Sequence, residues 1–349
     1  MVTLGVDAHK FTHTAVAVDG NGGELATKTV DATSAGHLEL GKWASQWPER
    51  KFAVEDCRHL SRRREVDVVT SGERVVRVPT RLMAGLRRSG RKRGKSDPID
   101  AAAVARAALR EPSLPLATLD GPDRDVRLLM DYRDDLVGER TRMENRLLWD
   151  LHELEPVLRF PARSFRSVCQ RRTMAAALRR HPGLLADIAR KLLETILHLS
   201  ARIERLDQEV NDRIVTLAPH LLALRGCGPL TAAKLISEVA GIGRFRSRAA
   251  FAAYNCTAPI PVWSSNKTRF RLNRGGTRQI NAALYRIALT QIRRDGPGYP
   301  YLKRRLAEGR TKPEALRALK RHLSDEVYRR LLLDSHEHHD PDLRATGAA

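Results

Sequence analysis

The chain has 349 residues, 62 of them Lys or Arg against 41 Asp or Glu, so its formal net charge is +21 with 42% hydrophobic residues. That length points to about two or three domains, each with its own core, and the cationic surplus makes an acidic polymer, nucleic acid above all, the natural partner. No apolar run approaches the roughly 18 residues that span a bilayer, the start lacks signal-peptide features, and Cys57, Cys169, Cys227 and Cys256 show no CxxC spacing; a cytoplasmic, nucleoid-associated protein without membrane partner, zinc site or disulfide framework is expected.

Residues 2 to 30 read as three strands, VTLGVD, HTAVAVD and ELATKTV, with a tight turn at Asp19-Gly20-Asn21-Gly22-Gly23. A helix over about 34–46 follows, then a short apolar strand Phe52 to Glu55, a helix from about Arg58, a strand Arg74 to Val78 closed by Pro79, and another helical stretch. An antiparallel meander followed by alternating helices and strands is the order of an RNase H-like α/β domain. It places Asp7 on the first strand and Glu55 at the end of the fourth, both at one end of the sheet.

Asp97 and Pro98 read as the N-cap and first position of a helix reaching about Leu109, with Asp100 three residues on and roughly on the same face. Alone, these acids also fit a plain cap and a favourable charge at the helix dipole's positive end. Taken with Asp7 and Glu55 they become converging carboxylates, the donors that hold a hard divalent cation for phosphodiester cleavage. Arg87, Arg88, Arg91, Lys92, Arg93 and Lys95 precede the pair. Such a run also suits a solvated face, but beside candidate catalytic acids it reads as a nucleic-acid contact.

Between Pro122 and Leu217 strand signals vanish. A heptad runs through Leu185, Leu192, Leu199 and Leu206 at one position and Ala189, Ile196, Ile203, Val210 and Leu217 at the other. Its expected partner is Val126 to Leu154, where Arg133 and Arg140 dilute the pattern. Such an arm reads as an oligomerisation element, the alternative being a hairpin within one chain. Leu221 to Phe245 has the shape of a helix-hairpin-helix, with Gly226 and Gly228 permitting a turn whose N–H groups can meet a phosphate. A polar loop, Trp263-Ser264-Ser265-Asn266, then leads into Lys267, Arg269, Arg271 and Arg274 and a helix over about 277–293. The serines are either turn residues or a nucleophile beside cations. The tail beyond about His336 lacks apolar periodicity and is expected to be disordered.

GVDAHKFTHTAVAVD, the acid in VEDC, KSDPIDAAAVA, RGCGPLTAAKLISEVAGIGRF and GYPYLKRRLAEGRTKPEALRALKRHLSDEVYRRL resemble, in order and spacing, the DEDD-type serine transposases of the insertion-sequence-110 (IS110) family, to about residue 333. The resemblance implies a RuvC-like catalytic domain over 1–115, a coiled-coil region over 120–218 and a mainly α transposase domain over 219–333 carrying a nucleophilic serine, which leaves the expected disordered tail over 334–349. It implies Asp7, Glu55, Asp97 and Asp100 as ligands of Mg²⁺, with Mn²⁺ as a substitute. The family's Ser-Gly is absent here: aligning without gaps places Ser264 as the nucleophile, and matching the pair to Ser265-Asn266 is the alternative. Implied partners are donor and target DNA, a structured bridge RNA pairing with both, and further copies of the chain in a homodimer or homotetramer.

Three rival readings follow from the same residues. A RuvC-like endonuclease or junction resolvase would hydrolyse without an adduct, but leaves the serine-bearing basic loop without a use. A binder that has lost its chemistry would not need all four acids. Sugar kinases and actin-like ATPases also open on a strand ending in Asp, but follow it with a Gly-Thr phosphate turn where this chain has Asp7-Ala8-His9-Lys10.

Overall fold

The computed structural model describes residues 1–55, 62–78, 82–83, 96–111, 114, 116–117, 121–157, 159–160, 165, 167–264, 267–273 and 275–339. Arg87, Arg88, Arg91, Lys92, Arg93, Lys95, Ser265, Arg274 and Cys57 lie outside the described residues, as do residues 340–349. The backbone divides into two compact units, Met1–Gly121 with Gly241–Gly276, and Pro122–Ala240 with Thr277–Ala349.

In the first unit β1 (Val2–Ala8), β2 (Thr12–Val18) and β3 (Glu24–Asp31) form an antiparallel meander. Beyond β1, β4 (Arg50–Glu55) and β5 (Val75–Val78) add in parallel, giving the order β3-β2-β1-β4-β5. This is the RNase H-like arrangement that the pattern predicts. The β2–β3 turn closes because Asp19 Oδ1 accepts from the N–H groups of Asn21 and Gly23 at 2.9 and 2.8 Å, while Gly22 takes a φ of +89°.

Side-chain alternation gives this sheet two unlike faces. Leu4 and Val6 of β1, with Phe52 and Val54 of β4, pack with Leu40 and Ala44 of α1 (Ser34–Ala44) and Val68 of α2 (Arg62–Thr70). On the other face lies α3 (Asp97–Arg110), whose buried surface is Ala101, Ala102, Val104, Ala105, Ala107 and Ala108. A β-carbon on Gly5 would stand 2.1 Å from the Ala101 carbonyl oxygen and 2.4 Å from the Ala105 nitrogen, so strand and helix meet backbone to backbone. At the far end of α3, Lys51 Nζ of β4 donates to the Ala108 carbonyl at 3.0 Å. Burial, with Arg74 nearby, pushes the Lys51 ammonium below its ordinary pKa. The cap differs by one residue from expectation: Ser96 is the N-cap and Asp97 and Pro98 open the helix, positions where proline's missing N–H costs nothing because those groups have no partner in the helix.

The second unit is built on two long helices, α4 (Pro122–Leu154) and α6 (Leu184–Leu217), joined through α5 (Val168–Arg180). Leu147 and Leu151 share a core with Ala189, Leu193 and Ile196, whereas Leu136 meets Leu199 and Ile203, so the helices run antiparallel within one chain. The seam differs from expectation on one side. Ala189, Ile196, Ile203 and Val210 are buried as read, Leu199 is buried and Leu192 and Leu206 pack half-buried against the same cores, but the seam is wider than read and also takes in Ala186, Leu193, Ser200 and Ile214, one residue on from the leucine row. Polar contacts cross this seam: Arg133 bonds the Asp207 carboxylate and Arg140 donates to Ser200 Oγ at 3.4 Å, so the residues that dilute the α4 pattern face partners on α6.

Downstream, α7 (Pro219–Leu222), α8 (Pro229–Val239), a 3₁₀ turn at Ile242–Arg244 and α9 (Arg248–Tyr254) precede the ribbon β6 (Ile260–Ser264) and β7 (Lys267–Arg271). Then come α10 (Arg278–Gln291), α11 (Tyr299–Ala307) and α12 (Lys312–His339). Gly226, at φ +92°, has no room for a side chain: its β-carbon would lie 2.9 Å from Thr290 Cβ and 3.1 Å from the Ile287 carbonyl of α10. The expected disorder from residue 334 is corrected, because α12 continues to His339. Asp334 is buried, and its carboxylate accepts from the N–H groups of His220 and Leu221 at 2.9 and 3.2 Å, capping the start of α7 and tethering this turn of α12. No helix among the described residues is long and apolar enough to cross a membrane.

Candidate metal centre

Asp7 is the sixth residue of β1 and only 7% exposed. It lies on the same face as Gly5, two residues away, and so towards α3. Parallel pairing of β1 with β4 matches Val6 to Val54, and one step further along both strands brings Glu55 beside Asp7. The last turn of α3 lies over Lys51 and its middle over Gly5, so its first turn, with Asp97 and Asp100, reaches the strand end where Asp7 sits. Asp100 is buried and Asp97 half-buried. Carboxylates here also lie at the positive end of the helix dipole.

Between them stands a histidine, which a pattern of carboxylates does not include. His9 Nε2 is 3.2 Å from Asp7 Oδ2 and 3.2 Å from Asp97 Oδ1, and the candidate ligand atoms of the three residues lie within 4.8 Å of one another. The His9 N–H donates to the Thr12 carbonyl at 2.9 Å across the β1–β2 turn, which fixes its backbone. The available signal was spacing, since a residue two beyond Asp7 keeps the strand's period.

Electrostatics tie the group together. Burial pushes the Asp7 carboxyl above the usual range; His9 pulls it down, and the carboxylates of Asp100, Asp97 and Glu55 each raise it further. Three acids therefore act on Asp7 at a single end of the sheet, where a bound cation would oppose their effect. The donor set fits a hard divalent ion, since carboxylate oxygens suit Mg²⁺ and Mn²⁺; the imidazole nitrogen is the one donor less at home with Mg²⁺.

The basic loop forms a two-stranded ribbon belonging to the same compact unit as the acids. Its register pairs Ser264 with Lys267, Val262 with Arg269 and Ile260 with Arg271, and Pro261 with Phe270 and Trp263 with Thr268. Cross-strand partners share a face and successive pairs alternate, so Ser264 stands on the face of the ribbon that holds Lys267, Arg269 and Arg271.

Comparison with known proteins gives a consistent set of likenesses. Residues 4–156 match a family model described as "Transposase", and residues 218–302 match one described as "Transposase IS116/IS110/IS902 family". The chain is 26% identical over 377 residues, covering 94% of each chain, to the "Insertion element IS116 uncharacterized 44.8 kDa protein" of Streptomyces clavuligerus. It is 24% identical over 381 residues, covering 92% of this chain and 93% of the relative, to the "Insertion element IS900 uncharacterized 42 kDa protein" of Mycobacterium paratuberculosis. Among solved structures, T. thermophilus RuvC in complex with a Holliday junction substrate aligns at 13% identity and a TM-score of 0.27, covering 34% of this chain and 99% of that one. At that score the strand topology, rather than this likeness, carries the fold.

Proposed function

We propose that this chain, which belongs to the IS110/IS116 family of transposases, cuts and rejoins DNA strands at the ends of an insertion sequence through a serine-linked intermediate. The observation that carries the reading is the convergence on Asp7: His9 bridges it to Asp97, and Asp97, Asp100 and Glu55 all bear on its charge. Asp7, Glu55, Asp97 and Asp100 would hold Mg²⁺ or Mn²⁺. Bound there, the ion would supply positive charge to the scissile phosphate and ease departure of the leaving oxygen.

In this reading Ser264 Oγ attacks the phosphorus. A serine O–P bond forms, the bond to one sugar oxygen breaks, and that oxygen leaves with the proton as a free hydroxyl. The number of phosphoester bonds is unchanged, so a hydroxyl of another strand can reverse the step and join the DNA anew without an outside energy source. Lys267 and Arg269, on the Ser264 face of the ribbon, oppose the charge that grows on the phosphate.

The net charge of +21 suits RNA as well as DNA. Following the family resemblance, a structured bridge RNA pairs with donor and target DNA while the protein grips backbone and shape. Two or four copies, assembled through the long helices, would bring the acids of one protomer to the serine of another.

The test uses purified protein with Mg²⁺, its flanking noncoding RNA and nicked DNA carrying the element end. A protein–DNA species that survives detergent, with the modified peptide mapping to Ser264, is the expected result. Chelation, or Asp7→Asn, abolishes it while nucleic-acid binding persists. Cut ends without any adduct would assign the chemistry instead to activated water and to a hydrolytic resolvase.

A further inference from the structure

We infer that the aromatic face of the β6–β7 ribbon receives unpaired bases of the DNA strand being cut. The two faces of this ribbon differ in kind. The register places Pro261, Trp263, Thr268 and Phe270 on one, so that both rings lie there, and Ile260, Val262, Ser264, Lys267, Arg269 and Arg271, so all the cations, on the other. Trp263 is 73% exposed and Phe270 65%, and Leu272, on the same alternation just past β7, is 55% exposed.

Rings of this size carry a large apolar area, and a cluster of them in water is surface that a partner covers. The charge carried by the same ribbon says which partner. Ile260–Arg271 contains Lys267, Arg269 and Arg271 and no acid, so the complement is a polyanion that also offers flat apolar faces. An unpaired nucleic-acid strand has both: rings stack on bases of any identity while cations track the backbone. In an intact duplex the base faces are covered by their neighbours, so the aromatic face acts only where a strand has opened. Ser264 follows Trp263 directly in β6, so in the proposed reaction the strand held at the rings is the one whose phosphate lies nearest the nucleophile. The inference rests on the ribbon being the DNA-cutting element, but not on the metal centre, since stacking needs no cation.

Fluorescence anisotropy with a labelled single-stranded DNA, its duplex and an RNA of the same sequence, all in chelator, provides the test. Trp263→Ala and Phe270→Ala each weaken single-stranded DNA on the order of tenfold and change duplex binding less than about twofold. Trp263→Phe keeps most of the affinity, and circular dichroism confirms that each variant folds. Equal losses on single strand and duplex, losses confined to RNA, or unchanged binding accompanied by a shift in sedimentation showing that a second copy covers the face, would each overturn the inference. Cleavage assays with Asp7→Asn separate the two readings: persistent cleavage removes the metal centre and leaves the stacking face standing, whereas normal single-strand binding by Trp263→Ala removes only the stacking face.

Discussion

Gly5 and Ala101 touch through main chain alone: any β-carbon at Gly5 would sit 2.1 Å from the Ala101 carbonyl oxygen. That contact sets the height of α3 above the sheet and with it the approach of Asp97 and Asp100 to Asp7. Gly5→Ala should push the helix away, lowering stability by about 1–3 kcal/mol or more and weakening Mn²⁺ binding measured by calorimetry. Gly41, in α1, has nothing within 4 Å of its β-carbon position, so Gly41→Ala should stabilise the protein by about 0.5–1 kcal/mol. Thermal unfolding of both variants reads the contrast, and equal tolerance at the two positions would dissolve the argument.

The two serines make separable predictions. Ser264 ends β6 opposite Lys267, so Ser264→Ala should stop strand exchange outright, while Ser265→Ala reduces it mildly. The assay is recombination between donor and target plasmids, scored beside adduct formation. The reverse order would move the nucleophile to Ser265.

Within the long helical pair, Arg133 and Asp207 should be coupled. Arg133→Leu alone leaves a half-buried carboxylate facing apolar neighbours and should cost about 1–3 kcal/mol. Combining it with Asp207→Leu should recover most of that loss, because two apolar residues fit the seam made by Leu136, Leu199 and Ile203. A double-mutant cycle by chemical denaturation measures the coupling; additive effects would show that the ion pair adds nothing specific.

Cys227 is buried, and burial pushes its thiol up to about 12, whereas Cys169 is exposed. Labelling at pH 8 should modify Cys169 at once and Cys227 only on unfolding. The sign for stability follows from the raised value: the folded state holds its proton more tightly than the unfolded chain, so this contribution is complete below about pH 9 and is lost as pH rises towards 12. Replacing Cys227 with Ala should flatten that alkaline decline, which unfolding curves between pH 8 and 11 would reveal.

The sheet was legible because each strand carries its own pattern: β-branched alternation in VTLGVD and HTAVAVD, and a glycine-rich turn with an Asp to accept its N–H groups. Asp7 and Glu55 could be placed by strand order alone. His9 could not, because a scan for hard-cation donors discounts imidazole, and its role depends on Asp97 arriving from a helix some ninety residues away. The seam of α6 is wider than its leucine heptad shows, for a similar reason. Leucine count favours Leu185 and Leu192, yet the buried row includes Ser200, whose place is set by Arg140 on the other helix. The end of α12 was also hidden, since Asp334 looks like a solvent-facing tail residue until His220 and Leu221 are brought beside it.

The two sides of the first sheet should differ in how freely they tolerate mutation. Over α1 and α2 the filling is Leu, Val, Phe and Trp, side chains that can exchange volume with one another and repack. Over α3 the alanines pack with Val16, Val18, Val76, Val78 and Met83, but at Gly5 the contact with Ala101 and Ala105 is peptide against peptide, where nothing larger fits. Saturation mutagenesis scored by folding alone should therefore show permissive positions over α1 and α2 and a frozen spot under α3, with substitutions at Gly5, Ala101 and Ala105 rejected almost without exception.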